Sequence, residues 1–103
     1  MDRELENETG ISTLNQIFVK EPALYKVILH NDNYTSMDFV IEVLRKIFHK
    51  SSADAAKIML EVHHNGTGLA GIYPYDIACT KIEQVNNMAK KSEYPLKCTC
   101  EAE

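Results

Sequence analysis

The 103-residue sequence predicts an α+β fold: a small three-stranded antiparallel sheet packed against three helices, in the order β-α-α-β-α-β, behind a flexible N-terminal extension. Two observations carry this. Short runs rich in Val, Ile, Leu and Tyr alternate with longer segments whose apolar residues recur at helical spacing. Pro22, Asn65-Gly66, Pro74 and Pro95 then punctuate the chain between those segments.

Residues 1–22 read as the extension. They open on an acidic, polar stretch, carry a weak apolar pattern at Ile11, Leu14, Ile17 and Phe18, and end where Glu21-Pro22 breaks any helix. The core domain is expected over residues 23–103. Residues 25–30 are too short for a helix and too β-branched for a loop, so they form the first strand, with Val27, Leu29 and Asn31 on one face. Thr35 is expected to cap the first helix, with Asp38 three residues on as the capping-box acid. Met37, Val40, Ile41, Leu44, Ile47 and Phe48 give that helix its apolar stripe, to about His49.

Ser51 or Ser52 caps the second helix, Ala55, Ile58, Met59 and Val62 form its stripe, and Asn65-Gly66 ends it in the left-handed region. The second strand follows over residues 67–73, with a bend or close backbone approach expected at Gly71. Pro74 opens a third helix with the stripe Ala78, Ile82, Val85 and Ala89, and residues 92–95 stop it. Residues 96–100 make the last strand.

Composition narrows the function. A hydrophobic share of 45% with 25% charged residues is ordinary for one globular domain, and a net charge of -4 excludes the basic stripe that nucleic acid requires. No apolar run reaches about 18 residues and the N-terminus is acidic, so no membrane segment or leader is expected and the chain is placed in the cytoplasm. The cysteines, Cys79, Cys98 and Cys100, are odd in number and lack zinc-ligand spacing, which points to reduced thiols. No metal or cofactor is expected.

No nucleophile-base pair, phosphate loop or metalloprotease motif is present. His30, His63 and His64 with Asp32 are a thin basis for a metal site, because adjacent helical residues diverge by about 100°. A binding site is better supported. Met37 and Val40 on one helix, and Met59 and Val62 on the next, can face each other across an apolar slot beside Asn31 and Asn33. Periodicity alone favours a simpler role for these four residues, as core.

The segments YKVILHNDNYTSMDFVIEVL, MLEVHHNG, GIYPYDIACTK and YPLKCTC together resemble the ClpS family of adaptor proteins, over residues 24–100. The resemblance implies a non-enzymatic, monomeric adaptor that binds proteins whose N-terminal residue is Leu, Phe, Tyr or Trp. It implies delivery of these N-degron substrates to the ClpAP protease through the N-terminal domain of a ClpA-type AAA+ unfoldase. The substrate α-amine is then expected on Asn31, Asp32, Asn33 and His63. An ammonium has three donors, and these side chains are acceptors in different directions. The first side chain is expected in a pocket of Leu29, Thr35, Met37, Val40, Met59, Val62 and Leu96, with Met37 restricting the entrance against β-branched Val and Ile. Asp76, Thr80 and Lys81 match the family's unfoldase-docking positions.

Three departures stand out. The family commonly reads Asn-Asp-Asp where this chain has Asn31-Asp32-Asn33, which implies a weaker pull on the ammonium or compensation by Asp32. Ser36 stands where proline is common at the first helical position, and Cys79 where an acid is more usual. A ribosomal-stalk-like interaction module and a histidine-based metal enzyme remain the alternatives at this point.

Overall fold

The computed structural model describes residues 22–103, and the expected extension up to Glu21 lies outside them. The elements follow the predicted order: β1 (Leu24–His30), α1 (Met37–Lys46), α2 (Ser52–Asn65), β2 (Thr67–Pro74), α3 (Tyr75–Lys91) and β3 (Lys97–Ala102). β1 is the central strand of the sheet, antiparallel to β2 on one side and β3 on the other. Its position follows from its residues. Val27 and Leu29 are fully buried, and between them they anchor a core that takes in Val43 and Leu44 of α1, Ala55 of α2, and Ala78 and Val85 of α3.

The β1–β2 register slips by one residue, with Val27 opposite Gly71 but Ile28 opposite Leu69, so Ala70 is an extra, buried residue in a bulge. The close approach expected at Gly71 is real and comes from a side chain: a Cβ there would lie 2.6 Å from the Tyr73 ring. Gly68 has the same function toward α2. A Cβ at that position would meet Val62 Cγ2 at 2.6 Å, so the glycine lets the end of α2 lie against β2.

Helix ends correct three of the sequence expectations. The cap of α1 is Ser36, not Thr35: its Oγ accepts from the Phe39 amide at 3.1 Å, and Asp38 simply lies in the first turn. Thr35 is unavailable because its amide and hydroxyl both go to Asp32. The helix also stops earlier than His49, with Ile47 as its C-cap and His49 at φ 56° in the following turn. Lys81 holds that end, donating from Nζ to the Ile47 carbonyl at 2.7 Å, where a cation suits the exposed carbonyls.

The stripe of α1 is shifted as well. Phe39 and Val43 are buried, whereas Met37 is 45% exposed and Ile41 only half-buried. The other two helices keep their predicted faces. Ser51 caps α2 through the Asp54 amide, Gly66 ends it at φ 87°, and Ala55, Met59 and Val62 point inward. On α3, Ala78, Val85 and Ala89 are buried and Ile82 packs against the core.

Candidate binding site

The site begins where β1 runs out. His30 is held by Thr99 across the sheet, Nε2 to Oγ1 at 2.7 Å, and the next amide, Asn31 N–H, donates to the Gly66 carbonyl at 2.8 Å. That second bond ties the start of the 31–35 loop to the end of α2. Gly66 can offer its carbonyl there because α2 terminates on it in a left-handed conformation.

Asp32 then builds the loop. Its Oδ1 accepts from the amides of Tyr34 at 2.8 Å and Thr35 at 2.7 Å, and its Oδ2 accepts from the Thr35 hydroxyl at 2.7 Å. This is an aspartate turn, in which a side chain replaces backbone partners. Burial pushes the Asp32 carboxyl up, but the hydrogen bonds from Thr35 and Tyr34 outweigh it and leave the group below its ordinary value. Asp32 is therefore ionised at neutral pH. The chain turns from β1 into α1 on this carboxylate, which leaves the Asn31 and Asn33 side chains exposed to solvent.

Between this loop, the start of α1 and the last turns of α2 lies a cavity of about 230 Å3, lined by Asn31, Asp32, Asn33, Thr35, Met37, Val40, Met59, Val62 and His63. The four expected amine acceptors and five of the expected pocket residues are thus brought to one hollow. Leu29 and Leu96 are not among its lining. Both belong to the core, Leu29 with no exposed surface, because they sit on the inner side of the sheet and just before β3. Val40, Met59 and Val62 are buried and make an apolar floor; Asn31, Asn33 and His63 are exposed and make a polar wall. Drug-sized ligands occupy pockets of roughly 300–1,000 Å3, so this cavity is matched to something smaller, about one amino-acid side chain.

Of the two adjacent histidines only His63 lines the cavity, although their rings touch edge to face with centroids 5.2 Å apart. Among the described residues no three His, Cys, Asp or Glu groups are placed to hold a metal ion. Cys98 is unreactive, since burial and the neighbouring Cys100 push its thiol up to about 12. On α3, Asp76 and Thr80 are exposed, with the Thr80 hydroxyl turned back to the Asp76 carbonyl at 3.1 Å. Lys81 is the exception there, being occupied at the end of α1.

Residues 20–99 match the family model "ATP-dependent Clp protease adaptor protein ClpS". The chain belongs to the ClpS family. ClpS proteins are adaptors of the Clp protease rather than enzymes, and this chain is one of them. Its relatives include the ATP-dependent Clp protease adapter protein ClpS of Maricaulis maris, 50% identical over 99% of this chain and 94% of that protein. The Syntrophus aciditrophicus adapter is 59% identical over 79% of this chain and 76% of its own length. Among solved structures, Agrobacterium tumefaciens ClpS2 bound to L-phenylalaninamide superposes with a TM-score of 0.78 at 36% identity, covering 81% of this chain and all of that one. Among the described residues no helix is long and apolar enough to cross a membrane.

One positioning group was invisible in the sequence and another was misassigned. The Gly66 carbonyl is a backbone atom, and only its αL cap could have flagged it. Ser36 was legible in principle, as a serine three residues before the first buried residue of the helix.

Proposed function

We propose that this ClpS protein binds substrates through a free N-terminal amine and a bulky hydrophobic first side chain, Leu, Phe, Tyr or Trp, and delivers them to the ClpAP protease. The observation that carries this is the pairing of a one-side-chain apolar hollow with a wall of acceptors at its mouth. L-phenylalaninamide, bound by the Agrobacterium relative, has the matching parts: a free α-amine, a benzyl group, and an amide where a peptide would continue.

In this reading Asn31 Oδ1, Asn33 Oδ1 and a neutral His63 nitrogen accept from the ammonium. Asp32 acts differently. Three of its roughly four acceptor sites are already taken within the loop, so it supplies negative charge and shape more than a direct bond. Val40, Met59 and Val62 receive the first side chain, whose burial contributes on the order of 1.5–3 kcal/mol, too little for tight binding without the amine contacts. Delivery would use the exposed Asp76 and Thr80 on α3 to dock the unfoldase's N-terminal domain, with Lys81 holding α1 and α3 together behind them.

Titration of a fluorescent peptide series differing only in residue one tests this reading: Phe and Leu should bind, and Ala, Asp and Val should not. Equal affinity across the series would refute it. Met37, half-exposed at the mouth, is the expected gate. Met37→Ala should admit Ile- and Val-initiated peptides that the wild type rejects, measured in the same titration.

His63 supplies the third acceptor of the clamp, through a ring nitrogen that takes a hydrogen bond from the ammonium. His63→Ala should weaken binding of a Phe-initiated peptide by about tenfold in the same titration; unchanged affinity would remove His63 from the clamp.

A further inference from the structure

None of the three cysteines lines the cavity, but two of them come to one place in the fold. Cys100 on β3 is opposite Val27 of β1, and residues paired in register share a face. Its thiol therefore turns inward with the buried Val27 and packs against the core. Cys79 reaches the same place from α3. That helix starts over Tyr25, whose ring meets the Tyr75 ring edge to face at 5.0 Å, and the chain goes on to β3 at Lys97, opposite His30. α3 thus runs along β1 from the Tyr25 end to the His30 end. Four residues past Tyr75, Cys79 lies about 6 Å further along the helix on the same face. Two residues before Ala102, the partner of Tyr25, Cys100 lies about 6.6 Å further along the sheet. The two advances match. The Tyr75 hydroxyl senses both sulfurs: hydrogen bonding with Cys79, then the charges of Cys79 and Cys100, push its phenol up. Both thiols are half-buried rather than sealed, so a small reagent can reach them.

We propose that Cys79 and Cys100 are a redox-active pair that closes into a disulfide on exposure to a small-molecule disulfide such as oxidised glutathione, tying α3 to β3. One protein thiolate attacks a sulfur of the reagent, whose S–S bond breaks and releases a thiolate that takes up a proton. The second protein thiolate then attacks the protein sulfur of the mixed disulfide and expels the other reagent thiolate, which is protonated in turn. The protein loses two protons and two electrons, and the reagent gains both. Cys98 takes no part, although it shares the inner face of β3 with Cys100. Burial, and then the charge of Cys100, push its thiol up to about 12 and keep it protonated. The bridge fixes the turn of α3 that carries the exposed Asp76 and Thr80, and it lies away from the cavity, which opens beyond the His30 end of β1.

The test incubates the full, folded chain with oxidised glutathione, reads its intact mass, and maps the bridge in non-reduced fragments by tandem mass spectrometry. Wild type should lose about 2 Da through one bridge between Cys79 and Cys100, and dithiothreitol should reverse the loss. Cys79→Ser and Cys100→Ser should each carry a glutathione adduct or stay unmodified, whereas Cys98→Ala should still close the bridge. The oxidised chain should melt at least about 5 °C above the reduced one, because the bridge restricts the unfolded state. No change in mass, a separate adduct on each cysteine, or a bridge through Cys98 would each overturn the pair. A bridge that lowers the melting temperature would overturn it as well, since the fold would then not hold the two sulfurs at bonding distance.

Discussion

Asn31→Ala should weaken binding of a Phe-initiated peptide by about 10- to 100-fold while leaving the thermal midpoint within about 4 °C of wild type. The first number is the loss of one hydrogen bond to a charged group, about 1.5–3 kcal/mol. The second follows because the Asn31 side chain is exposed, and surface substitutions usually stay within about 0.5 kcal/mol. The bond that positions this residue, Asn31 N–H to the Gly66 carbonyl, belongs to the backbone and survives the substitution. Isothermal titration with one peptide, beside a melting curve, separates the two effects. A large drop in midpoint would mean that Asn31 serves the fold, and unchanged affinity would remove it from the clamp.

Asp32→Ala should act on both quantities. It frees three donors, the amides of Tyr34 and Thr35 and the Thr35 hydroxyl, in a loop that water can reach. The expected destabilisation is about 1–2 kcal/mol, less than three full hydrogen bonds because the donors rehydrate. Binding should fall further, by about 100-fold, since Asn31 and Asn33 lose their fixed geometry and the ammonium loses its nearby charge. Asp32→Asn separates these contributions. An amide can still accept from the two backbone N–H groups, so the loop should hold while the charge is gone and about tenfold of affinity with it.

The same carboxylate predicts an acid limit to stability. Its folded-state value lies below the ordinary 3.8, so its contribution is complete above that pH and is lost as pH falls through the lower folded value. The stability gap between wild type and Asp32→Asn should be constant from about pH 5 upward and close below about pH 4. Chemical denaturation across that range measures it. A gap that narrows between pH 8 and pH 6 would point to a different titrating group.

Much of this was legible in the chain, for identifiable reasons. Val27 and Leu29 alternate with half-buried neighbours, so the central strand and its inner face could be read from period alone. Met59 and Val62 also fall on one face by period, and the opposing Met37-Val40 pair sits where that face is met. What failed lay at the junctions. Thr35 and Ser36 are both good caps in isolation, and only the Asp32 carboxylate, which consumes Thr35, decides between them. The buried face of α1 also takes in Phe39 and Val43 and leaves Met37 at the surface. Leu29 and Leu96 were assigned to the pocket although strand alternation, which buries Leu29 completely, cannot distinguish a pocket floor from the core.

Asp32, expected beside the ammonium with Asn31, Asn33 and His63, lines the cavity and also builds the loop through its hydrogen bonds. Such a role depends on a turn geometry that adjacent residue types do not encode on their own. Lys81 is a parallel case. Taken as part of a docking face, it reaches across 34 residues of sequence to cap α1.

Recognition of a free N-terminal amine is what separates this adaptor's binding from simple capture of a hydrophobic side chain. The most direct measurement compares one fluorescent peptide beginning with Phe against the same peptide acetylated at its α-amine. Acetylation removes the charge and leaves an amide with one donor, so it should cost at least about 100-fold in affinity, with the unmodified peptide binding well. Equal binding of the two peptides would contradict it, because recognition would then rest on the hydrophobic side chain alone.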